Sequence, residues 1–311
     1  MEMISPIQKI EMADLVNRGL EVYIKRDDLI GGAQQGNKFR KLKYHLLKAK
    51  ELDKQQLLTF GGAFSNHLYA TAAVGQQLKW PTIGFIRGEI DPLNPTLLQL
   101  KRWNMQLIAL SRETYKQRQH PAFLQKLKGS HPMAYIIPEG GSHPLAIKGV
   151  RELVQEVYEQ TTIKFDYWVC PVGTGSTAAG ILQRLKKGEK LIASSVLKGF
   201  DALQAVAQQS FGSAVELDKI ISLNASYRGF AKPYKPVEEF IKSFYQSQGI
   251  LLDPIYLGKV VYHLFQLIKR KYFPASAKIL IIHTGGLQGI KGYNYLHGTN
   301  LPEPKFDHLD P

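Results

Sequence analysis

Residues 167–177 read Tyr-Trp-Val-Cys-Pro-Val-Gly-Thr-Gly-Ser-Thr, an apolar run that breaks into glycines and hydroxyls before Ala178-Ala179-Gly180-Ile181-Leu182. A short continuous apolar run followed by a glycine turn and a helical pattern reads as buried strand, tight turn and helix. The unit recurs. Residues 20–25 (LEVYIK) precede a glycine-rich stretch and a helix; residues 56–60 (QLLTF) precede Gly61-Gly62-Ala63-Phe64 and a helix over 65–78; residues 277–282 (AKILII) precede His283-Thr284-Gly285-Gly286. Further strands are predicted at 81–86, 105–110 and 134–137, and helices at 95–103, 115–127 and 145–160. Such alternation makes an α/β protein with parallel sheets covered on both faces. Ligands in these folds bind beyond the carboxyl ends of strands, where the glycine turns fall. The stretch 298–311 is expected to be irregular.

The chain has 311 residues, enough for one large or two ordinary domains, and a single cysteine, Cys170, which excludes an intrachain disulfide and argues against a zinc cluster. No segment has the length and apolarity of a signal peptide or membrane span, so a cytoplasmic location is the expectation. The net charge of +14 comes from dispersed lysines and arginines, many beside apolar helical positions, as in Arg40-Lys41-Leu42-Lys43-Tyr44. It reads as solvated helix faces that also attract anionic small molecules, and no nucleic-acid motif accompanies it.

Gly31-Gly32-Ala33-Gln34-Gln35-Gly36-Asn37-Lys38-Phe39-Arg40-Lys41 carries the first chemical signal. Asn37 is a candidate N-cap, with Phe39, Leu42, Leu46 and Ala49 at helical spacing after it. Lys38 then lies in the first turn, where the positive end of the helix dipole disfavours a protonated amine. The small residues before it allow backbone or ligand to come close.

Gly173-Thr174-Gly175-Ser176-Thr177 offers successive backbone N–H groups and hydroxyls, as a phosphate needs. It lacks the lysine of a P-loop and the spacing of a dinucleotide site, which favours a monophosphate. Gly61-Gly62-Ala63-Phe64-Ser65-Asn66-His67 is a second cup. Ser65 reads either as a helix cap or, with its neighbours, as a receptor for a substrate carboxylate, and Asn66 as a donor to another oxygen. Tyr256, in Asp253-Pro254-Ile255-Tyr256-Leu257-Gly258-Lys259, stays open between a core position and a phenol aimed into a cleft. Thr284 reads as a turn residue or as a partner for a ring nitrogen. Cys170 reads as packed core. An activated amine, a monophosphate cup and a carboxylate cup in one α/β chain point to a pyridoxal 5'-phosphate enzyme.

Several blocks strengthen this. Lys25-Arg26-Asp27-Asp28-Leu29 with Gly36-Asn37-Lys38-Phe39-Arg40-Lys41-Leu42, the Gly61 to His67 block, Pro138-Glu139-Gly140-Gly141-Ser142, the Gly173 to Thr177 loop and Asp253 through Lys259 resemble the 1-aminocyclopropane-1-carboxylate deaminase and D-cysteine desulfhydrase family, in the family's order. The resemblance implies a tryptophan synthase β-subunit-like fold (pyridoxal phosphate fold type II). It implies a large domain from residues 1–40 and 149–311, a small inserted domain at 41–148, and a homodimer. It also implies roles. Lys38 would be the Schiff-base lysine and the base for the α-proton, and Asn66 would bond the cofactor's phenolic oxygen. Ser65 would hold the carboxylate, and Gly173, Thr174, Gly175, Ser176 and Thr177 the phosphate. Tyr256 would face the substrate, and Thr284 would lie near the pyridine nitrogen.

Two departures bear on the reaction. The deaminases carry a glutamate after the tyrosine to pair with the pyridine nitrogen, and this chain has Leu257. A weaker electron sink suits expulsion of a thiolate better than opening of a cyclopropane. In Tyr227-Arg228-Gly229-Phe230-Ala231-Lys232, Phe230 stands where the deaminases have a substrate-side tyrosine. The leading expectation is a lyase giving a 2-oxo acid, ammonia and sulfide from D-cysteine or a related small amino acid. Ring opening of 1-aminocyclopropane-1-carboxylate is the alternative, and β-replacement or racemisation would use the same fold. From a different class, a basic nucleic-acid-binding protein retaining the fold rests on the charge alone, and a non-catalytic relative would bind the cofactor without turnover. No nucleic-acid or membrane partner is expected.

Overall fold

The structure is a computed structural model and describes residues 4–213 and 215–305. β1 (Ile7–Ile10) and α1 (Ala13–Val16) lead to β2 (Glu21–Lys25). Then come α2 (Asn37–Glu51), β3 (Gln56–Gly61), α3 (Asn66–Leu78), β4 (Thr82–Arg87), α4 (Pro95–Arg102), β5 (Met105–Leu110), α5 (Arg112–Lys116), α6 (Pro121–Ser130) and β6 (Ala134–Ile136). The chain continues through α7 (Pro144–Gln160), β7 (Tyr167–Val172), α8 (Ser176–Leu182), β8 (Lys190–Ser195), α9 (Ala202–Gln208) and β9 (Ile220–Asn224). It ends with α10 (Lys235–Gln248), α11 (Leu257–Lys269), β10 (Lys278–Ile282) and α12 (Gly289–His297). Over residues 298–305 no regular element forms, and residues 306–311 of the expected irregular stretch lie outside the described residues.

Two sheets result, in the orders β1-β2-β10-β7-β8-β9 and β5-β4-β3-β6. Every adjoining pair is parallel except β1 with β2, an antiparallel edge that the strand pattern does not anticipate. In the larger sheet the side chains alternate between two apolar layers, as strands buried on both faces require. Ile279 and Ile281 of β10 join Val22, Ile24, Val169, Ile241 and Val261, beneath α10 and α11. Leu280 and Ile282 join Trp168, Cys170, Val150 and Ile181, beneath α7 and α8. Pairing of β7 with β10 stops at Val169, whereas pairing with β8 runs on to Val172. Pro171, which has no N–H, therefore lies beyond the ladder to β10.

The helix expected over 115–127 is broken. His120 is extended (φ −69°, ψ 131°) and α6 starts at Pro121, because a proline ring disfavours helical backbone at the residue before it.

Strand order places the crevices. In the larger sheet the chain runs from β7 to β8 and β9 on one side and returns to β10 on the other, so the order switches between β7 and β10. In the smaller sheet it switches between β3 and β6. Diverging connections leave a gap beyond the carboxyl ends of strands at such points. The four loops bordering the two gaps are 62–65, 137–143, 173–175 and 283–288, and they face each other.

A buried ionic cluster fixes α2 over this gap. Lys25, fully buried, donates to Glu156 at 2.5 Å, and Arg40 bridges Glu156 (2.6 Å) and Asp27 (2.9 and 3.1 Å). Removing one member would leave a buried charge unpaired, at a cost of about 3–5 kcal/mol.

Candidate active site

Gly36, not Asn37, is the N-cap of α2, with φ 68° and ψ −145°. A Cβ at Gly36 would sit 2.2 Å from the Thr284 carbonyl oxygen, so only glycine lets α2 start against the loop after β10. The Asn37 N–H donates to that carbonyl at 3.2 Å, which frees the Asn37 side chain from capping. Its Oδ1 accepts from Lys38 Nζ at 2.8 Å and its Nδ2 donates to Thr177 Oγ1 at 3.0 Å.

Lys38 as a residue is partly exposed, while its amine is desolvated. Burial lowers its pKa from the usual lysine range to about 8, against the pull of the Asp253 carboxylate. About a tenth of the amine is then neutral at pH 7, against roughly one part in 3,000 for an ordinary lysine. One turn further along α2, Lys41 is buried, and burial together with the Lys38 charge pushes its pKa well down. Its Nζ donates to the Gly140 carbonyl at 3.3 Å.

Gly140 has φ 66°, and a Cβ there would meet the Thr174 side chain at 2.8 Å. Ser176 Oγ donates to Gln209 Oε1 (2.7 Å), and its contacts with Ser142 Oγ (3.1 Å) and Thr174 Oγ1 (3.3 Å) make a hydroxyl cluster between the two sheets. Gly173 and Thr174 keep part of their surface exposed.

On the far side, Ser65 caps α3 by accepting from the Leu68 N–H at 3.2 Å. Asn66 Oδ1 accepts from Gln288 Nε2 at 2.7 Å, and Asn66 Nδ2 lies 2.5 Å from where a Gly286 Cβ would be. Thr284 is largely buried. Its carbonyl is committed to Asn37, and the loop passes directly under Asn66.

Tyr256 precedes α11. Asp253 accepts three backbone N–H groups, from Ile255 (3.0 Å), Tyr256 (2.7 Å) and Leu257 (2.9 Å), and this sets the turn. The Tyr256 ring covers Gly173, whose Cβ would lie 3.5 Å from it, and packs edge-on against Phe230 at 5.7 Å. Burial raises the phenol's pKa, and the Asp253 and Glu139 charges add to the effect. Leu257 is fully buried in the apolar layer with Ile24, Val169 and Val261. Cys170 is core, its thiol pushed up to about 12 by burial. Among the described residues no cluster of His, Cys, Asp or Glu is arranged to hold a metal ion, and no helix is long and apolar enough to cross a membrane.

A profile of the family described as "Pyridoxal-phosphate dependent enzyme" matches residues 4–285, with Lys38 inside the match. The chain belongs to that family. It is 32% identical over 311 residues to the mitochondrial bifunctional D-cysteine desulfhydrase/1-aminocyclopropane-1-carboxylate deaminase of Arabidopsis thaliana, covering 92% of this chain and 77% of that one. It is 30% identical over 310 residues to a D-cysteine desulfhydrase of Serratia proteamaculans, covering 93% of each. The crystal structure of an "ACC deaminase homologue" superposes with a TM-score of 0.81 at 28% identity, over 92% of this chain and 90% of that one. The fold is the tryptophan synthase β-subunit-like fold of this family.

The residues fit the family's cofactor. An aldehyde calls for an amine that can shed its proton, and Lys38 is one. A phosphate calls for small residues and N–H or O–H donors, and Gly173, Thr174 and Ser176 supply them, Thr174 meeting Gly140, whose carbonyl accepts from Lys41. Sequence reasoning assigns no role to Lys41 or Asp253. Lys41 has a usable signal, since a residue three positions after Lys38 shares its helix face. Asp253 has one too: an aspartate followed by a proline and a turn can accept the backbone N–H groups just after it.

Proposed function

We propose that this chain is a pyridoxal-phosphate dependent lyase that eliminates the β-substituent of a small amino acid, with D-cysteine as the substrate type. The observation that carries the reading is Lys38, an amine with a pKa near 8 hydrogen-bonded within the crevice where the two strand-order switch points meet. The names of the two relatives support the substrate type.

When bound, pyridoxal phosphate supplies an aldehyde that condenses with amino groups and a ring that accepts the electron pair left by α-proton removal. The chain's own groups do the rest. Residues 173–177 would hold the phosphate through their backbone N–H groups and hydroxyls. The amide of Asn66 would bond the ring's phenolic oxygen, and Thr284 would serve as a neutral partner for the ring nitrogen. Ser65 and its loop receive the substrate carboxylate. Lys38 Nζ takes the α-proton as general base, helped by its lowered pKa. Tyr256, held protonated by burial, donates a hydrogen bond toward the departing group. For D-cysteine the balance is amino acid plus water giving 2-oxo acid, ammonia and hydrogen sulfide. Leu257 favours elimination over ring opening, since a leucine supplies no carboxylate for the ring nitrogen.

We further infer a homodimer in the cytoplasm, with residues 41–148 as a unit inserted into the body formed by 1–40 and 149–311. A spectrum of the purified holoprotein titrated with D- and L-amino acids, followed by 2-oxo acid and sulfide assays, tests the function. Bleaching of the cofactor band by D-cysteine with sulfide release supports it. Keto-acid release from 1-aminocyclopropane-1-carboxylate at a higher kcat/KM would replace it with ring opening.

A further inference from the structure

Lys259 lies one turn after Tyr256 on α11 and is 1% exposed. Its Nζ donates to the Gly229 carbonyl at 2.6 Å. The carboxylate nearest in effect is Asp253, already occupied by three backbone N–H groups. A buried ammonium is costly unless hydrogen bonds or an opposite charge compensate it, and the Gly229 carbonyl supplies such a bond.

What it holds is a bent loop. Tyr227 (φ 47°), Gly229 (φ 118°) and Ala231 (φ 51°) are all left-handed. The loop's ends are tied separately. Tyr227 stacks on Tyr234 at 5.0 Å and meets His263 Nδ1 at 3.2 Å, and the Ala231 carbonyl accepts from His297 Nε2 at 2.8 Å. Between them the loop presents Phe230, 44% exposed, edge-on to Tyr256, whose ring covers Gly173. Lys259, Gly229, Phe230, Tyr256 and Gly173 thus form one line from core to cleft.

We propose that Lys259 is a positioning residue for substrate selection: by holding the Gly229 carbonyl it fixes Phe230 against Tyr256 and narrows the cleft to small amino-acid side chains. The selection rests on the elimination reading above; the latch does not. Phe230 is the wall and Lys259 the tie that keeps it in place.

The test uses the full-length holoprotein and two readouts. Trypsin cleavage after Arg228 reports the latch, because Arg228 is exposed while Gly229 is buried and must leave its seat for the bond to be cut. The ratio of kcat/KM for D-cysteine to that for S-benzyl-D-cysteine reports selection. Lys259→Met is expected to speed cleavage and lower the ratio, each about tenfold, the scale of one lost hydrogen bond to a charged group. Lys259→Arg is expected to restore both. Phe230→Ala, with the latch intact, should lower the ratio at an unchanged cleavage rate, and it carries the test if Lys259→Met does not fold. Unchanged cleavage in Lys259→Met, or an unchanged ratio in Phe230→Ala, overturns the proposal. A wild type that processes neither amino acid overturns the elimination reading instead, and the rate of cleavage after Arg228 still decides whether Lys259 latches the loop.

Discussion

Asn37 Nδ2 donates to Thr177 Oγ1 at 3.0 Å, joining the helix that carries Lys38 to the first turn of α8, directly after the glycine loop that follows β7. The same side chain accepts from Lys38 Nζ through its Oδ1 at 2.8 Å, so one amide orients both the amine and the start of α8. Asn37→Ala removes both bonds without touching either partner. A hydrogen bond of this kind contributes about 1 kcal/mol, so cofactor affinity should fall about fivefold to tenfold, read from absorbance titration of the cofactor-free protein.

Lys38 governs a stability change with pH in the cofactor-free protein. Its folded pKa is about 8, below the 10.5 of an unburied lysine. Between these values the unfolded chain binds more protons, so stability rises with pH across that window. The full penalty, up to about 3 kcal/mol, applies below pH 8. Cofactor-free Lys38→Met should therefore be the more stable protein at pH 7, and urea denaturation should show its advantage disappearing by about pH 10.5.

Asp253 sets the turn that presents Tyr256, and Asp253→Ala leaves three N–H groups without their acceptor. Leaving buried N–H groups without their acceptor costs about 1–3 kcal/mol. A drop of that order in urea-denaturation free energy is expected, together with a rise in KM as Tyr256 loses its fixed position.

Gly36→Ala forces a Cβ to 2.2 Å from the Thr284 carbonyl at a φ of 68°. The start of α2 must then separate from the loop after β10, and cofactor binding should be lost. Gly188→Ala, also at positive φ (91°) but with nothing within 4 Å of its Cβ, is the control. It should lose only about 1 kcal/mol, from backbone strain, in thermal or urea unfolding.

Leu257→Glu is expected to destabilise the fold rather than confer ring opening. The side chain at 257 lies fully buried in an apolar layer, where an unpaired carboxylate costs several kcal/mol or stays protonated. A large fall in Tm with no gain in keto acid from 1-aminocyclopropane-1-carboxylate is the expected outcome.

The strands and glycine turns are legible because buried parallel strands are apolar throughout and end at glycines, a local pattern. Helix details are less so. The break at Pro121 has a local signal, a proline inside a helical pattern, but the apolar spacing on either side of it masks the interruption. The cap at Gly36 is hidden because its partner is the carbonyl of Thr284, distant in the chain. Lys259 and Gly229 show the same difficulty: neither position is unusual until the fold buries the ammonium under the carbonyl.

By itself the sequence determined the α/β alternation, the apolar layers and the residue types at each strand end, since these depend on side-chain periodicity and backbone freedom within a few residues. Tertiary structure decided which strand ends meet. The order switches between β7 and β10 and between β3 and β6 bring four loops together, and burial within the packed structure lowers the pKa of Lys38. Burial is a property of the whole packing, so desolvation of that amine exists only once distant segments surround it.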